Sequence, residues 1–557
     1  MTTAPMNQIA EQLLSLMHEI EPIEATLTGV RDYDGLLADL SRQAVGSYVG
    51  RARELAQAAA RLDVSTLDQQ ERITRDVIVS LAGIVNDTDH AEAVAYTSSA
   101  FPVAPASILL AYLRMTVLTT PQQADAYLDR LRAIPHYLQQ AEDRLADGRS
   151  RGLLPVAHLV QSAIDQITQF LTGSPNVLAI DPPRDWDGAV GWMAVRDAII
   201  ESEVKPAFTS HQGALTADVL PTGRSTEHVG LVHLPDGLER YQGLIRVHTT
   251  TDRSPEDLHQ VGLELMAGIH EEFRALGREI FGLSDLHEIF TRLGTDPTLR
   301  WSTEQEILDA AEVAVRRAEA ATPAWFGRLP EAVCVLDAIP ELEADGAPAA
   351  YYMPPAIDGS RPGTYYTNVH RPTERTTFDL ESVAFHEAVP GHHFQIALAL
   401  ETTGLPLLRR MTLFNAYAEG WGLYSERLAD EMGLYSSPIQ RMGMLSADAW
   451  RASRLVVDTG MHAFGWSRER AVSYLLENTP VAPIEVEAEI DRYIAMPAQA
   501  LGYMTGRLEI QRLRALAQER LGDRFDIKAF HDTVLGSGGL PLDVLAELVD
   551  AWTVRAD

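Results

Sequence analysis

Cysteine is all but missing from this 557-residue chain: Cys334 stands alone, so no intrachain disulfide can close and no thiolate cage for a metal can be assembled. Cys334 falls in the apolar run 332–336, which reads as a buried strand where a thiol packs as a small hydrophobe and does not act as a nucleophile. Lysine is nearly as scarce, since only Lys205 and Lys528 supply it and arginine carries almost all the positive charge. Positive charge is itself short. The 46 Lys and Arg against 78 Asp and Glu leave a net charge of −32, which repels phosphate backbones and anionic lipid and so excludes nucleic acid and membrane surfaces as partners. No apolar stretch reaches the length of a membrane span, and residues 1–22 have no basic start and carry Glu11, Glu19 and Glu21, unlike a secretory signal. The expected compartment is the cytoplasm. There is no fixed-period repeat and no low-complexity tract.

The chain is far longer than one ordinary core requires, and its character changes once along its length. Over residues 1–325 apolar residues recur at three- and four-residue spacing, as in 9–20, 125–145, 156–171 and 255–276, which predicts helices. Ser254 before Pro255 has the form of a helix cap followed by a first-turn proline. Segments 332–336, 349–353 and 364–369 are short, β-branched or aromatic, and divided by Pro, Gly and Asp, which predicts three strands of a small antiparallel sheet. From Thr376 the helical pattern returns, with Asp379 three residues on as in a capping box. The division adopted is therefore an N-terminal helical region, 1–325, and a second region, 326–557, both parts of one unit.

The second region holds the chemistry. His386, Glu387, His392 and His393 lie within eight residues, and neutral imidazoles beside a carboxylate are the donors of an open three-ligand zinc site. In the usual helical motif two histidines stand one turn apart with a glutamate between them. Here His386 and His392 are six apart, which an ideal helix turns to different faces. Pro390 cannot donate to the carbonyl of His386 and Gly391 tolerates unusual backbone angles, so a two-residue bulge is expected to bring His392 into place. His393 then stands behind the ligands or faces the substrate, and it is the competing choice for second ligand. A third ligand is expected from a neighbouring helix, where Glu419 sits among apolar residues and needs a cation or donor as partner. Gly420 and Gly422, each costing about 1 kcal/mol in a helix interior, fit a helix that must approach the motif closely. Glu426, between Ser425 and Arg427, reads as solvated or salt-bridged. The competing reading of the whole constellation is a structural hydrogen-bond cluster.

With these residues in hand, the stretch 385–395 followed by 416–424 resembles the bacterial family known as domain of unknown function 885, and the likeness extends to 241–248 and 501–507. That family is similar in turn to the carboxypeptidase Taq and thimet-type oligopeptidase groups. The resemblance implies a mainly α, elongated, zincin-like body with a deep cleft and the zinc site on its floor, next to the small sheet. It implies His386, His392 and Glu419 as ligands of one Zn2+ ion and Glu387 as general base. Those relatives hold the oxyanion with a C-terminal tyrosine or histidine, for which Tyr503 and His462 are the candidates here.

The reaction so implied is hydrolysis of short peptides, as a carboxypeptidase or an oligopeptidase. The strand 364–369, with Tyr365 and Tyr366, is expected to offer an edge to an extended peptide. Arg507 or Arg371 is expected to clamp a terminal carboxylate, and His393 to face the substrate. Two other classes compete: a zinc-dependent amidohydrolase acting on a small-molecule amide, and a non-catalytic peptide-binding module, against which Glu387 argues because metal binding alone has no use for it. Monomer and homodimer are equally compatible with the sequence.

Overall fold

The computed structural model describes residues 5–340 and 348–555 and is mainly α-helical, with one three-stranded sheet among the described residues. The helices follow from local chemistry. Residues 255–276 lie in the helix Pro255–Phe281, which opens with Ser254 accepting a hydrogen bond from the Asp257 amide. Asp68 and Glu71 cap Gln69–Ala91 reciprocally, satisfying two amides that the first turn leaves without partners. The other expected helices appear as Pro5–Ile20, Pro121–Ser150 and Ala157–Thr172. No helix among the described residues is long and apolar enough to cross a membrane.

Packing crosses the division drawn at residue 325. One core joins Leu13, Val77 and Leu81 to Phe385, Trp421 and Leu545. Another joins Tyr241 and Phe273 to Leu423, Leu445 and Leu501. A third, with Leu131, Ile134, Ile167 and Phe208, is built from N-terminal helices alone. The metal-motif helices therefore rest on residues from both regions.

The sheet corrects two expectations. Strands β1 (Val335–Ala338), β2 (Ala350–Met353) and β3 (Thr364–Thr367) are ordered β1-β3-β2, with β3 parallel to β1 and antiparallel to β2, so the sheet is mixed. Because β3 is central, its hydrogen-bonding groups are used on both sides and the stretch 364–369 cannot pair with a peptide. Tyr365 is wholly buried, and Tyr366 is half-buried against Tyr351 with ring centroids 5.1 Å apart. A further shift affects the first strand, which begins at Val335 and leaves Val333 74% exposed in place of the buried run expected at 332–336. Cys334 stays half-buried, and burial pushes its thiol up to about 12, away from nucleophilic use.

Two helices that position the site run side by side in the same direction: Asn415–Glu431, which carries Glu419, and Leu501–Leu521, which carries Tyr503. Asn415 abuts Gly502 and Gly420 abuts Gly506, where any Cβ would collide with the opposing backbone or side chain. Both also meet the helix Pro438–His462 through Asp448, whose buried carboxylate accepts from Arg427 and Arg507.

Candidate metal centre

The motif helix Leu380–Glu387 starts after Asp379, which accepts from the Thr376 hydroxyl at 2.6 Å, and it stops where Ala388 leaves helical angles at φ −103°, ψ −100°. Pro390 has no N–H to continue the ladder. Gly391 then crosses the helix end so closely that a Cβ there would lie 1.8 Å from the carbonyl oxygen of His386. A new helix, His392–Glu401, begins at once. The expected bulge within one helix is thus a full break between two. Trp421 Nε1 at 2.8 Å and Ser425 Oγ at 3.3 Å donate to the Pro390 carbonyl, so the helix carrying Glu419 also holds the break in place.

This break brings the two imidazoles together. Nε2 of His386 lies 3.4 Å and Nε2 of His392 lies 3.3 Å from the same oxygen, Oε2 of Glu419, and the rings stand perpendicular with centroids 4.7 Å apart. His386, His392 and Glu419 each offer a ligand atom, all within 4.8 Å of one another. The His386 side chain is 3% exposed, whereas His392 is 12% and Glu419 22% exposed, so the focus of the three is reachable from solvent on one side.

His386 is oriented from behind. Its Nδ1 lies 2.8 Å from Oε1 of Glu426, whose other oxygen accepts from Ser382 Oγ at 2.6 Å. With Nδ1 turned to Glu426, Nε2 is directed at Glu419. Glu426 is 1% exposed and ion-paired with His386, so of the two readings, solvated or salt-bridged, the second holds. The signal was present in spacing: Glu419, Gly422 and Glu426 recur at three- and four-residue intervals and so share one helix face, and the imidazole of His386 lies across it.

The electrostatics follow from burial and pairing. Burial alone would push the His386 imidazole down, but hydrogen bonds to Glu419 and Glu426 outweigh it and carry the imidazole up to about 9. Burial would likewise raise Glu419, yet His392 and His386 hold its carboxyl well below the usual range. The His386 imidazole and the Glu419 carboxylate thus each favour the charged form of the other. Nδ1 of His392 is buried without a hydrogen-bond partner among the described residues, so this imidazole lacks the support that Glu426 provides to its neighbour.

A family profile matches residues 22–549, a span that takes in every residue of this centre. The chain belongs to that family, described as bacterial protein of unknown function (DUF885). Among solved structures, a putative lipoprotein from Colwellia psychrerythraea is 28% identical and aligns with a TM-score of 0.91 over 99% of this chain and 100% of its own. A putative lipoprotein of unknown function from Shewanella oneidensis, 17% identical, shares the fold with a TM-score of 0.76 over 98% of this chain and 100% of its own. No curated protein matches the sequence.

The remaining expected residues of this DUF885 member divide sharply. Glu387 closes the motif helix half-buried, with no hydrogen bond or ion pair to its carboxylate from the described residues. Tyr503 stands near Glu419: after burial, the charge of Glu419 is the strongest influence raising its phenol. His462 is not at the centre. It is wholly buried, accepts from the Leu231 amide at Nδ1 and reaches the Tyr493 carbonyl from Nε2 at 3.0 Å, and burial holds it down at about 3. His393 also points elsewhere. Its Nδ1 meets the Tyr352 hydroxyl at 3.0 Å and its Nε2 the Ala332 carbonyl at 3.0 Å, so both nitrogens are engaged within the protein, away from the point where His386, His392 and Glu419 meet. Arg507 is buried against Asp448 and offers no clamp. Arg371 lies on an exposed turn.

Proposed function

We propose that this chain is a zinc-dependent peptidase acting on short peptides. The observation that carries the reading is the meeting of two imidazole nitrogens and one carboxylate oxygen on a single partly exposed point, beside a glutamate that takes no part in it. The spacing suits the group. Nitrogen and oxygen ligands about 2.0–2.1 Å from zinc at tetrahedral angles stand roughly 3.4 Å apart, against 3.3 and 3.4 Å here. The donor set would also accept cobalt or manganese.

His386, His392 and Glu419 would hold the ion, with Glu426 fixing the first imidazole. Bound there, zinc supplies a Lewis acid for the scissile carbonyl and a lowered pKa for water. Glu387, left without a partner, takes the proton from the attacking water and returns it to the leaving amine. The phenol of Tyr503 donates to the oxygen that becomes negative at the tetrahedral stage. A cleft around the site, as the resemblance to zincins suggests, would admit short unfolded peptides.

Metal analysis of the purified protein, followed by a peptide-library digest read by mass spectrometry, tests the reading. One zinc per chain and cleaved peptides are expected. Glu387→Gln should keep its zinc and lose at least about a hundredfold in turnover; unchanged turnover eliminates the proposed base. Zinc-loaded protein that leaves every peptide intact but hydrolyses compact amides would move the assignment to a small-molecule amidohydrolase.

A further inference from the structure

In a chain of net charge −32, positive charge gathers beside Tyr503. Arg454, on Pro438–His462, lies with its guanidinium carbon 4.4 Å from the centroid of the Tyr503 ring and 5.0 Å from that of Trp450. Arg451 packs on the other Trp450 contact at 5.1 Å, and Arg492 lies 4.7 Å from the Tyr493 ring. Among the described residues, the carboxylate of Glu489 is hydrogen-bonded to two of these three guanidinium groups, Arg454 and Arg492, and no carboxylate is hydrogen-bonded to Arg451.

Their donors are not all used. Arg454 spends Nε on the Tyr493 hydroxyl at 2.7 Å and Nη2 on Glu489 at 3.0 Å, while Nη1 is buried with no partner in a side chain 5% exposed. Nε of Arg451 is likewise buried and unpartnered. A buried guanidinium nitrogen without an acceptor costs about 1–3 kcal/mol or more, and a planar cation of this kind matches a carboxylate.

The place of this cluster connects it to the metal centre. Tyr503 falls between Gly502, which abuts Asn415, and Gly506, which abuts Gly420, and so lies within about one turn of Glu419 on the parallel helix, close enough for the charge of Glu419 to act on its phenol. Arg492 Nη1 donates to Gln499 at 2.6 Å, and Gln499 Nε2 donates to Asn415 at 3.0 Å, reaching the first residue of the Glu419 helix.

We propose that Arg454, assisted by Arg451, forms an anion subsite that binds a carboxylate of the substrate on the Tyr503 side of the metal centre. The enzyme then selects peptides carrying a carboxylate close to the bond that is cut, either the free C-terminus or an acidic side chain. The word substrate rests on the peptidase reading; the anion subsite itself does not.

The test uses the zinc-loaded wild type with three matched peptides: a free acid, its C-terminal amide, and a variant in which an acidic side chain becomes the corresponding amide. One neutralised carboxylate should lower kcat/KM by about tenfold to a hundredfold, the span of one charge-assisted hydrogen bond. Sensitivity to the terminus identifies a C-terminal carboxylate as the ligand, and sensitivity to the side chain identifies an acidic residue. Indifference to both overturns the proposal while leaving a peptidase. Binding of 3-phenylpropionate against 3-phenylpropionamide, measured by calorimetry, needs no hydrolysis. Arg454→Gln, and the less buried Arg451→Gln should the first not fold, ought to weaken the acid at least severalfold and leave the amide unchanged. That result with uncleaved peptides keeps the subsite and ends the peptidase reading, whereas equal binding of acid and amide by the wild type overturns the subsite.

Discussion

A Cβ on Gly422 would stand 2.7 Å from Cε1 of His386 and 2.8 Å from its Nε2, closer than packed atoms approach. The imidazole therefore occupies the space of a side chain that is missing from the facing helix. Gly422→Ala ought to gain about 1 kcal/mol in helix propensity yet force His386 off its line to Glu419. We expect a folded protein with little change in thermal midpoint and at least a tenfold loss of zinc affinity, measured by competition with a chromogenic chelator. Full zinc affinity in this variant would show that the position of His386 does not set the centre.

Glu426→Gln probes the support behind His386. The amide still accepts from Nδ1–H, so the ring keeps its place, but the negative charge that makes Nε2 more basic is gone. Zinc affinity should fall by about tenfold to a hundredfold, with the far-ultraviolet spectrum unchanged. An affinity equal to wild type would mean that Glu426 serves packing alone.

Helices such as Pro255–Phe281 were legible because periodicity and the Ser254 cap are local properties. The approach of His386, His392 and Glu419 was legible because ionisable groups in an apolar setting need partners of opposite charge or hydrogen-bonding groups. For Glu426 the neighbours Ser425 and Arg427 suggest surface as readily as an ion pair and do not name the partner, since Arg427 turns aside to Glu272 and Asp448 and Ser425 donates to the Pro390 carbonyl. Those partners come from distant segments. The edge role expected of 364–369 failed for the same reason: a short β-branched and aromatic run reads alike for an edge or a central strand, and only the arrival of β1 and β2 on opposite sides decides. Pro390 and Gly391 signalled a distortion, but its extent depends on Trp421, whose indole captures the break from another helix.

The choice between His392 and His393 can be checked by paired variants. His392→Gln should abolish stoichiometric zinc. His393→Gln should retain it and lose about 1–3 kcal/mol of stability, because the Tyr352 hydroxyl and the Ala332 carbonyl lose well-placed partners in a buried setting. Metal analysis after gel filtration, with urea unfolding beside it, reads both effects. Zinc lost from the His393 variant with stability intact would reverse the assignment.

His462 offers a test through pH. Burial lowers its folded pKa to about 3 from an ordinary 6.5, so the folded state refuses a proton that the unfolded chain accepts. The stabilising contribution of the neutral ring is whole above pH 6.5 and declines as pH falls toward 3, by about 1.4 kcal/mol for each unit in that window. His462→Gln supplies one acceptor for the Leu231 amide and one donor for the Tyr493 carbonyl but cannot titrate. At pH 7 the variant should be less stable than wild type by about 1–3 kcal/mol. At pH 5 the wild type has given up about 2 kcal/mol that the variant keeps, so the difference should shrink by that amount or change sign. All other titrating groups are common to both proteins and cancel. Urea unfolding of the pair at the two pH values reads the difference directly, and a gap that stays constant would mean that His462 is not held neutral by the fold.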